Sequence, residues 1–241
     1  MKIIADTHTH TLASTHAFST AQEMIKSASE KGLYAIALTD HGYNMPGAPK
    51  KGEWFFECLG AIPDYLYGVR VLKGVEANVS DYQGNLDIPS GVLKNLDWVV
   101  ASMHSLTIDG KPSFEKCTNA WLKIAENSYV NVIGHSGAEY FKFDYKKVIP
   151  VFGKNGKLVE INGNTFRAKK DFMGNCIEIA KICMETNTRI IVNSDAHFST
   201  AVADVDDALK MLEDINFPKH LIVNANIDSF KAYLKECNIY Y

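Results

Sequence analysis

No Cys-x-x-Cys pair occurs in the sequence, and its five cysteines form an odd set: Cys58, Cys117, Cys176, Cys183 and Cys237. This spacing argues against a disulfide framework and against a zinc site built on thiolates. We therefore expect reduced thiols, most of them packed in the interior.

Long apolar runs and an excess of basic residues are also missing. The first apolar run stops at Asp6, and no later stretch approaches the ~18 apolar residues of a membrane span. The formal net charge is -3, so the composition gives no sign of a basic surface for a nucleic-acid backbone. We expect a cytoplasmic protein with a small substrate, no membrane partner and no long nucleic acid.

Two nucleotide-binding motifs are absent as well. No G-x-G-x-x-G follows the first apolar run, and no G-x-x-x-x-G-K-[ST] occurs anywhere in the chain. What remains is a chain of 241 residues, 46% apolar and 22% charged, which is enough to bury a sizeable core. No linker or low-complexity tract divides it, so residues 1–241 are expected to form one domain.

Short β-branched runs alternate with longer segments of helical spacing. The runs that predict strands are residues 2–6, 35–40, 70–77, 97–104, 130–135, 157–162 and 189–197, with 220–225 as an eighth candidate. Helical spacing occurs over residues 19–32, 114–127, 172–187 and 202–215. This alternation predicts an α/β fold with a parallel sheet, and seven or eight almost wholly apolar strands favour a closed barrel over an open sheet.

Polar side chains stand at the C-terminal end of each predicted strand. His8 and His10 follow the first strand, and because residues i and i+2 of an extended chain face the same way, both can bind one object. The side chains at the later strand ends are Asp40, His41, Glu76, His104, His135, Asn162, Asp195 and His197. In α/β barrels the βα loops meet at this rim, where active sites form.

Seven of the eight histidines lie on or just after a predicted strand end: His8, His10, His16, His41, His104, His135 and His197. Histidine is the commonest metal ligand, and Glu76 and Asp195 share the same loops. These nine side chains are too many for one tetrahedral ion, which takes ~4 ligands, so the pattern predicts a multinuclear site. Imidazole richness favours zinc, with manganese or iron as alternatives. Asp40 and Asp6 are expected to orient imidazoles by hydrogen bonds rather than to bind metal.

Six ordered motifs resemble those of the PHP (polymerase and histidinol phosphatase) superfamily, and their spacing is most similar to its stand-alone YcdX-like phosphatase branch. The motifs are DTHTHT at 6–11, TDHG at 39–42, GVEAN at 74–78, SMHS at 102–105, GHSG at 134–137 and NSDAH at 193–197. The resemblance implies a distorted (β/α)7 TIM-like barrel that holds three zinc or similar ions at the C-terminal ends of its strands.

The resemblance also implies how the ligands are shared among the ions. His8, His10 and Asp195 would bind the first ion. Glu76 would bridge it to a second ion, which His104 and His135 complete. The third would be held by His16, His41 and His197, and the assignment of His16 depends mostly on the resemblance.

The chemistry expected of such a site is phosphate ester hydrolysis. Three divalent ions outweigh the charges of Glu76 and Asp195, so an anionic substrate is expected. A metal-bridging water, acidified to a pKa of ~7, would supply hydroxide while another ion polarises a phosphoryl oxygen. We expect a phosphatase that hydrolyses a small phosphomonoester, with Glu76, Asp195 and His197 as catalytic residues. Arg167 is a candidate for a contact with the phosphate.

Three other functions stay open at this point. The same ions would serve a phosphodiesterase or nuclease acting on a small nucleotide, and a metal-dependent hydrolase of amides or lactones, although no lysine stands at a strand end. The chain could also be a non-catalytic metal-binding interaction domain. Residues 42–56 and 105–113 are expected to form the loops that set specificity, and the resemblance leaves a homo-oligomer open.

Overall fold

The computed structural model describes residues 1–168 and 172–240 and contains one twisted sheet. Its strands are β1 (Ala5–Asp6), β2 (Ala35–Leu38), β3 (Tyr65–Leu66), β4 (Val69–Asn78), β5 (Trp98–Ser102), β6 (Val132–Ile133), β7 (Leu158–Asn162) and β8 (Ile190–Asn193). Seven of them run parallel in the order β1-β2-β4-β5-β6-β7-β8, and β3 forms an antiparallel hairpin with β4. The predicted α/β barrel of seven parallel strands is confirmed.

Helices connect most of the strands and lie on the outside of the sheet. They are α1 (Ala21–Glu30), α2 (Ser90–Leu93), α3 (Phe114–Glu126), α4 (Tyr145–Lys154), α5 (Gly163–Ala168), α6 (Met173–Glu185), α7 (Asp206–Asp214) and α8 (Ile227–Glu236). The four predicted helices correspond to α1, α3, α6 and α7, whereas α4, α8 and the short helices α2 and α5 were not predicted. Within the described ranges, no helix combines the length and apolar character needed to cross a membrane.

The seam between β8 and β1 holds no eighth parallel strand in the described residues, and Asn224 bridges it. Residues 220–225 were a strand candidate, but they form two short 3-10 turns. The Asn224 amide donates to the carbonyls of Ala5 (2.8 Å) and Val192 (2.6 Å), and its oxygen accepts from the Val192 amide (3.1 Å). The buried Asn224 side chain thus adds to the backbone contacts across the seam, which are the hydrogen bond from the Ile4 amide to the Asn224 carbonyl (2.9 Å) and the parallel bridge between Ile190 and Ile222.

The two ends of the barrel interior differ in polarity because strand side chains alternate with a period of two. Near the N-terminal ends, Leu72, Leu158 and Ile191 belong to an apolar cluster that α8 covers with Phe230 and Tyr233. Two to four residues further along the same strands, the same inward face carries Glu76, Glu160 and Asn193, all buried. The barrel interior is thus polar near the C-terminal ends of the strands and apolar near their N-terminal ends.

The backbone at Gly74 is packed so closely that there is no room for a side chain. It pairs with Trp98 across β4 and β5, and an added Cβ would lie 2.5 Å from the Trp98 carbonyl oxygen and 3.2 Å from the Trp98 Cβ. Because strand backbone cannot move aside freely, we expect Gly74→Ala to lower the free energy of unfolding by about 1–3 kcal/mol. Urea denaturation followed by circular dichroism measures this change.

The matched control is Gly91→Ala in α2, where an added Cβ meets no atom within 4 Å. This variant is expected to leave the free energy of unfolding unchanged or to raise it by up to ~1 kcal/mol, because alanine favours helix. Equal effects of the two substitutions would contradict the packing described for the barrel interior.

Candidate metal centre

The carboxylate of Glu76 lies at the middle of a cluster of imidazoles. It projects from β4 and its side chain is 1% exposed. Five imidazole nitrogens surround its two oxygens: His41 Nδ1 (2.6 Å), His135 Nε2 (2.9 Å), His8 Nε2 (3.4 Å), His104 Nε2 (3.4 Å) and His10 Nε2 (3.6 Å). Imidazoles from the ends of four strands therefore converge on a single acid carried by a fifth.

Asp195, the second predicted carboxylate, lies beside the same imidazoles. Its Oδ1 is 3.2 Å from His10 Nε2 and 3.6 Å from both His8 Nε2 and His197 Nδ1. His16 completes the group, since its Nε2 lies 3.0 Å from His41 Nε2. The structure therefore brings together all nine side chains that were predicted as metal ligands.

Several ligand atoms of this cluster have no hydrogen-bond partner. Among the described residues, the buried atoms without a hydrogen bond include His8 Nε2 and His10 Nε2, and also His41 Nδ1 and Glu76 Oε2, whose 2.6 Å contact with each other lacks hydrogen-bond geometry. Buried polar atoms are nearly always paired, because leaving one without a partner costs about 1–3 kcal/mol. These four atoms belong to the side chains that face one another around Glu76, so cations placed among them would satisfy all four. The residues present fit a metal centre.

Within residues 1–168 and 172–240, three overlapping groups of side chains have ligand atoms that lie within 4.8 Å of one another. They are His8, His10 and Glu76; His41, Glu76 and His104; and His10, His41 and His197. Glu76 belongs to two groups, as expected of a bridging ligand. His41 also belongs to two, whereas the resemblance gives it to the third ion alone, so the division of ligands among the ions stays a prediction.

Burial keeps part of the cluster neutral. It lowers the pKa of His10 well below the usual value, and the His41 imidazole adds to this effect. Burial also lowers the pKa of His104 to about 3. Because a metal binds the neutral imidazole, these side chains are already in the form that a cation requires.

The carboxylates of the cluster carry negative charge that no neighbouring cation among the described side chains balances in full. Burial alone would raise the pKa of Glu76, but the surrounding imidazoles, His41 foremost, hold it well below its usual range. Burial would likewise lower the pKa of His8, but Glu160, Glu76 and Asp195 raise it well above its usual value. A site that draws a proton onto a buried imidazole in this way is short of positive charge, which divalent cations would supply.

Glu160, which the sequence analysis missed, fixes the orientation of two ligands. This buried carboxylate on β7 accepts hydrogen bonds from His8 Nδ1 (2.8 Å) and the His135 amide (2.8 Å). It also accepts from the side chains of Asn162 (3.1 Å) and Asn193 (2.9 Å). The contact with Nδ1 leaves the His8 Nε2 lone pair directed at the cluster. Glu76 was identified because a glutamate within an apolar strand is costly to bury unless it is paired. Glu160 lies in a similar strand, so the same reasoning could have identified it.

Asn78 performs the corresponding task for His104. Its Oδ1 lies 2.8 Å from His104 Nδ1, and its amide donates to Asp87 at 2.6 Å, which fixes the amide orientation. Because Asn78 is two residues after Glu76 on β4, it faces the same way along the strand. The signal was therefore present in the GVEAN motif but was not used.

Asp40 and Asp6, which were expected to orient imidazoles, bind loops. Asp40 accepts from the amide and hydroxyl of Thr11 (both 2.7 Å) and from the Ser14 hydroxyl (2.8 Å). Asp6 accepts from Ser194 and from the Ala203 amide (2.7 Å). In the part of the chain that the structure describes, no hydrogen bond joins either carboxylate directly to an imidazole, although the Ser14 hydroxyl that Asp40 binds lies 3.5 Å from His10 Nδ1, so the orienting role stays a prediction.

Arg167, the candidate for a phosphate contact, is engaged in a structural contact. Its guanidinium forms an ion pair with Asp204 (2.8 Å) and donates to the carbonyls of Asp204 (2.7 Å) and Ser194 (3.1 Å). These bonds join α5 to the loops that follow β8. The arrangement does not favour the predicted role, because the donors that would bind phosphate are directed at this loop.

Two ligand positions have backbone conformations in the left-handed region. The φ angle is 22° at His135 and 55° at Asp195, each directly after a strand of the barrel. Non-glycine residues rarely adopt positive φ, and such residues cluster at functional sites because the surrounding structure must hold them there. The hydrogen bond from the His135 amide to Glu160 is one such restraint.

Glu160→Gln tests whether this carboxylate positions the metal ligands. Glu160 now accepts four hydrogen bonds, and the NH2 group of the glutamine would face the donor of at least one of them. We expect zinc affinity to fall about 10- to 100-fold, measured by competition with a chromogenic chelator. The control Glu126→Gln, in an exposed pair with Lys123, should retain full affinity. Unchanged zinc affinity in Glu160→Gln would contradict the positioning role.

Comparison with known proteins agrees with this geometry. The PHP domain family matches residues 6–216. A probable phosphatase of Acetivibrio thermocellus is 44% identical over 235 residues, which cover 98% of this chain and 96% of that protein. A probable phosphatase of Thermoanaerobacter sp. is 41% identical over 237 residues, again with 98% of this chain and 96% of that protein covered.

A solved structure shows the same fold at much lower identity. Histidinol phosphate phosphatase from Lactococcus lactis, in complex with zinc, L-histidinol and phosphate, superposes with a TM-score of 0.61 at 15% identity. The match covers 100% of this chain and 95% of that one. The family match over most of the length, together with the identity to these relatives, confirms the resemblance found in the motifs: the chain belongs to the PHP domain family.

Proposed function

We propose that this protein is a metal-dependent phosphatase that hydrolyses a small phosphomonoester at a site for three divalent cations, with zinc as the first candidate. The observation that carries this proposal is the convergence of imidazoles on the buried Glu76 carboxylate, with unpaired ligand atoms directed at one another. The names of the curated relatives, probable phosphatases, support the same reaction class. When bound, the cations would polarise a phosphoryl oxygen and acidify a water molecule.

The residues that would hold the cations are the nine predicted ligands: His8, His10, His16, His41, Glu76, His104, His135, Asp195 and His197. Three divalent ions would bring six positive charges against the carboxylates of Glu76, Asp195 and Glu160. The loaded site would therefore attract an anion such as a phosphate group, although the chain has a formal net charge of -3.

For three of the imidazoles, the chain itself sets which ring nitrogen faces the centre. Nδ1 of His8 faces Glu160, Nδ1 of His104 faces Asn78, and Nδ1 of His197 lies 3.0 Å from the carbonyl of Asp195. With a proton on each Nδ1, the Nε2 lone pairs are free to bind a cation. Such hydrogen bonds raise the basicity of a ligand and prevent the ring from rotating.

The exposure of the ligands indicates where a substrate would enter. The side chain of Glu76 is 1% exposed and forms the floor, whereas that of His197 is 25% exposed. Asp195 lies between them, with 11% of its side chain exposed. We infer that Glu76 holds the centre from below, and that Asp195 and His197 border the opening where the phosphate binds, which agrees with the catalytic roles predicted for all three.

Metal removal tests the proposal directly. We expect prolonged chelation to abolish hydrolysis of p-nitrophenyl phosphate and to lower the melting temperature, because cations that bind only the folded state stabilise it. Zinc, manganese or iron should restore both properties. Bis-p-nitrophenyl phosphate, a diester, serves as the competing substrate. Turnover that survives chelation, or faster hydrolysis of the diester, would contradict the proposed reaction.

The matched variant for this experiment is Glu76→Gln, which keeps the shape of the side chain and removes its charge. Loss of the central acid is expected to lower kcat/KM by at least ~100-fold, comparable to the loss of one electrostatic group from an active site. Glu57→Gln, on the loop after β2, should keep normal activity. A Glu76→Gln enzyme with normal turnover would show that Glu76 is not part of the centre.

A further inference from the structure

A cavity of about 460 Å³ opens beside the metal centre and shares two side chains with it. His104 and His135 line both the cavity and the cluster around Glu76. Pockets of roughly 300–1,000 Å³ hold small organic molecules. A molecule with its phosphate at the metal centre could therefore extend its remaining atoms into this cavity.

The cavity is built by loops that follow three strands. The loop after β5 contributes Met103 and Leu106, and the loop after β6 contributes Tyr140 and Phe141. Met45, from the loop after β2, completes one wall. Two of these loops are the segments that the sequence predicted to set specificity, residues 42–56 and 105–113.

The lining is apolar and carries no charged side chain. Apart from the two histidines, the polar lining residues in the described part of the chain are Ser105 and Thr165, together with the hydroxyl of Tyr140. No lysine, arginine, aspartate or glutamate is among the described residues of this wall. A charged group placed here would lose its hydration without gaining an ionic partner, which is unfavourable.

The mouth of the cavity exposes large apolar side chains. Leu106 is 71% exposed and Tyr140 58% exposed, whereas Met103 and Phe141 at the floor are each 5% exposed. Tyr140 and Phe141 lie edge to face with ring centroids 4.9 Å apart. An apolar ligand that entered between these loops would cover Leu106 and Tyr140, and the area removed from water would favour its binding.

We propose that this cavity is the leaving-group subsite of the phosphatase and that it selects phosphomonoesters of uncharged alcohols bearing an apolar ring. The inference rests on the proposed function and names its substrate class. In the reaction, the bond between phosphorus and the ester oxygen breaks. Water gives its oxygen to phosphorus and one proton to the departing alcohol, and the products are inorganic phosphate and the free alcohol.

The test compares esters whose alcohols have similar reactivity. The metal-loaded enzyme is assayed with 2-phenylethyl phosphate, ethyl phosphate, glycerol 3-phosphate and O-phosphoethanolamine. We expect kcat/KM for 2-phenylethyl phosphate to exceed that for ethyl phosphate by on the order of 10-fold or more, from the burial of one ring. The polar glycerol ester and the cationic ethanolamine ester should be no better than ethyl phosphate.

A charged substitution at the mouth separates the subsite from the metal centre. Leu106→Asp should lower the ratio of kcat/KM for 2-phenylethyl phosphate to kcat/KM for ethyl phosphate to about 1, because the new charge disfavours the ring whereas both esters present the same phosphate to the centre. Ile227→Asp is the matched control, because Ile227 is an exposed apolar residue at the start of α8 and does not line the cavity. This control should retain the preference.

A binding measurement gives a readout that does not depend on turnover. Saturation-transfer NMR should show 2-phenylethanol bound to the metal-free enzyme and to Ile227→Asp, but not to Leu106→Asp. Hydrolysis of all four esters with equal kcat/KM would overturn the subsite and leave the phosphatase activity standing. If none of the esters were hydrolysed by the metal-loaded protein, the proposed function would fail and the subsite would fail with it.

Discussion

The structure depends on one buried carboxylate surrounded by imidazoles. An isolated glutamate in a barrel interior is strongly unfavourable, and breaking a buried charge pair costs about 3–5 kcal/mol. Glu76 is tolerated because five imidazoles reach its oxygens from the ends of other strands. The same arrangement leaves ligand atoms unpaired. The imidazoles that stabilise the buried carboxylate therefore also offer the unpaired nitrogens that could bind cations.

The alternation of side chains along the strands determines where the acids of this centre lie. Alternate residues of β4 and β7 place an apolar side chain near the bottom and an acid near the rim: Leu72 and Glu76, Leu158 and Glu160. Helix α8 seals the apolar end, with Phe230 6.2 Å and Tyr233 5.9 Å from Trp98 between ring centroids. The rigid lower half thus supports ligands on short, strained turns such as those at His135 and Asp195.

The fold, and the convergence of the nine side chains predicted as ligands, could be predicted from the sequence because both follow from local patterns, whereas their binding of metal stays a prediction. Strand-helix alternation gave the barrel, and histidines at strand ends gave the cluster. The partners of the ligands were harder to predict. Glu160 contacts His8 from a strand far away in sequence, Asn78 contacts His104 from the neighbouring strand β4, and Asp40 and Asp6 bind loop amides that no pattern indicated. Helix α4 was missed because Pro150 and Gly153 lie within it.

The most direct test of the account is the location of bound metal. Crystals of zinc-loaded protein, measured on both sides of the zinc absorption edge, should show three anomalous peaks within the cluster. Two of these peaks should share Glu76, and each should lie within about 2.0–2.2 Å of imidazole nitrogen or carboxylate oxygen. A single peak, or peaks at sites that do not include Glu76, would contradict the claim that this acid organises a multinuclear centre.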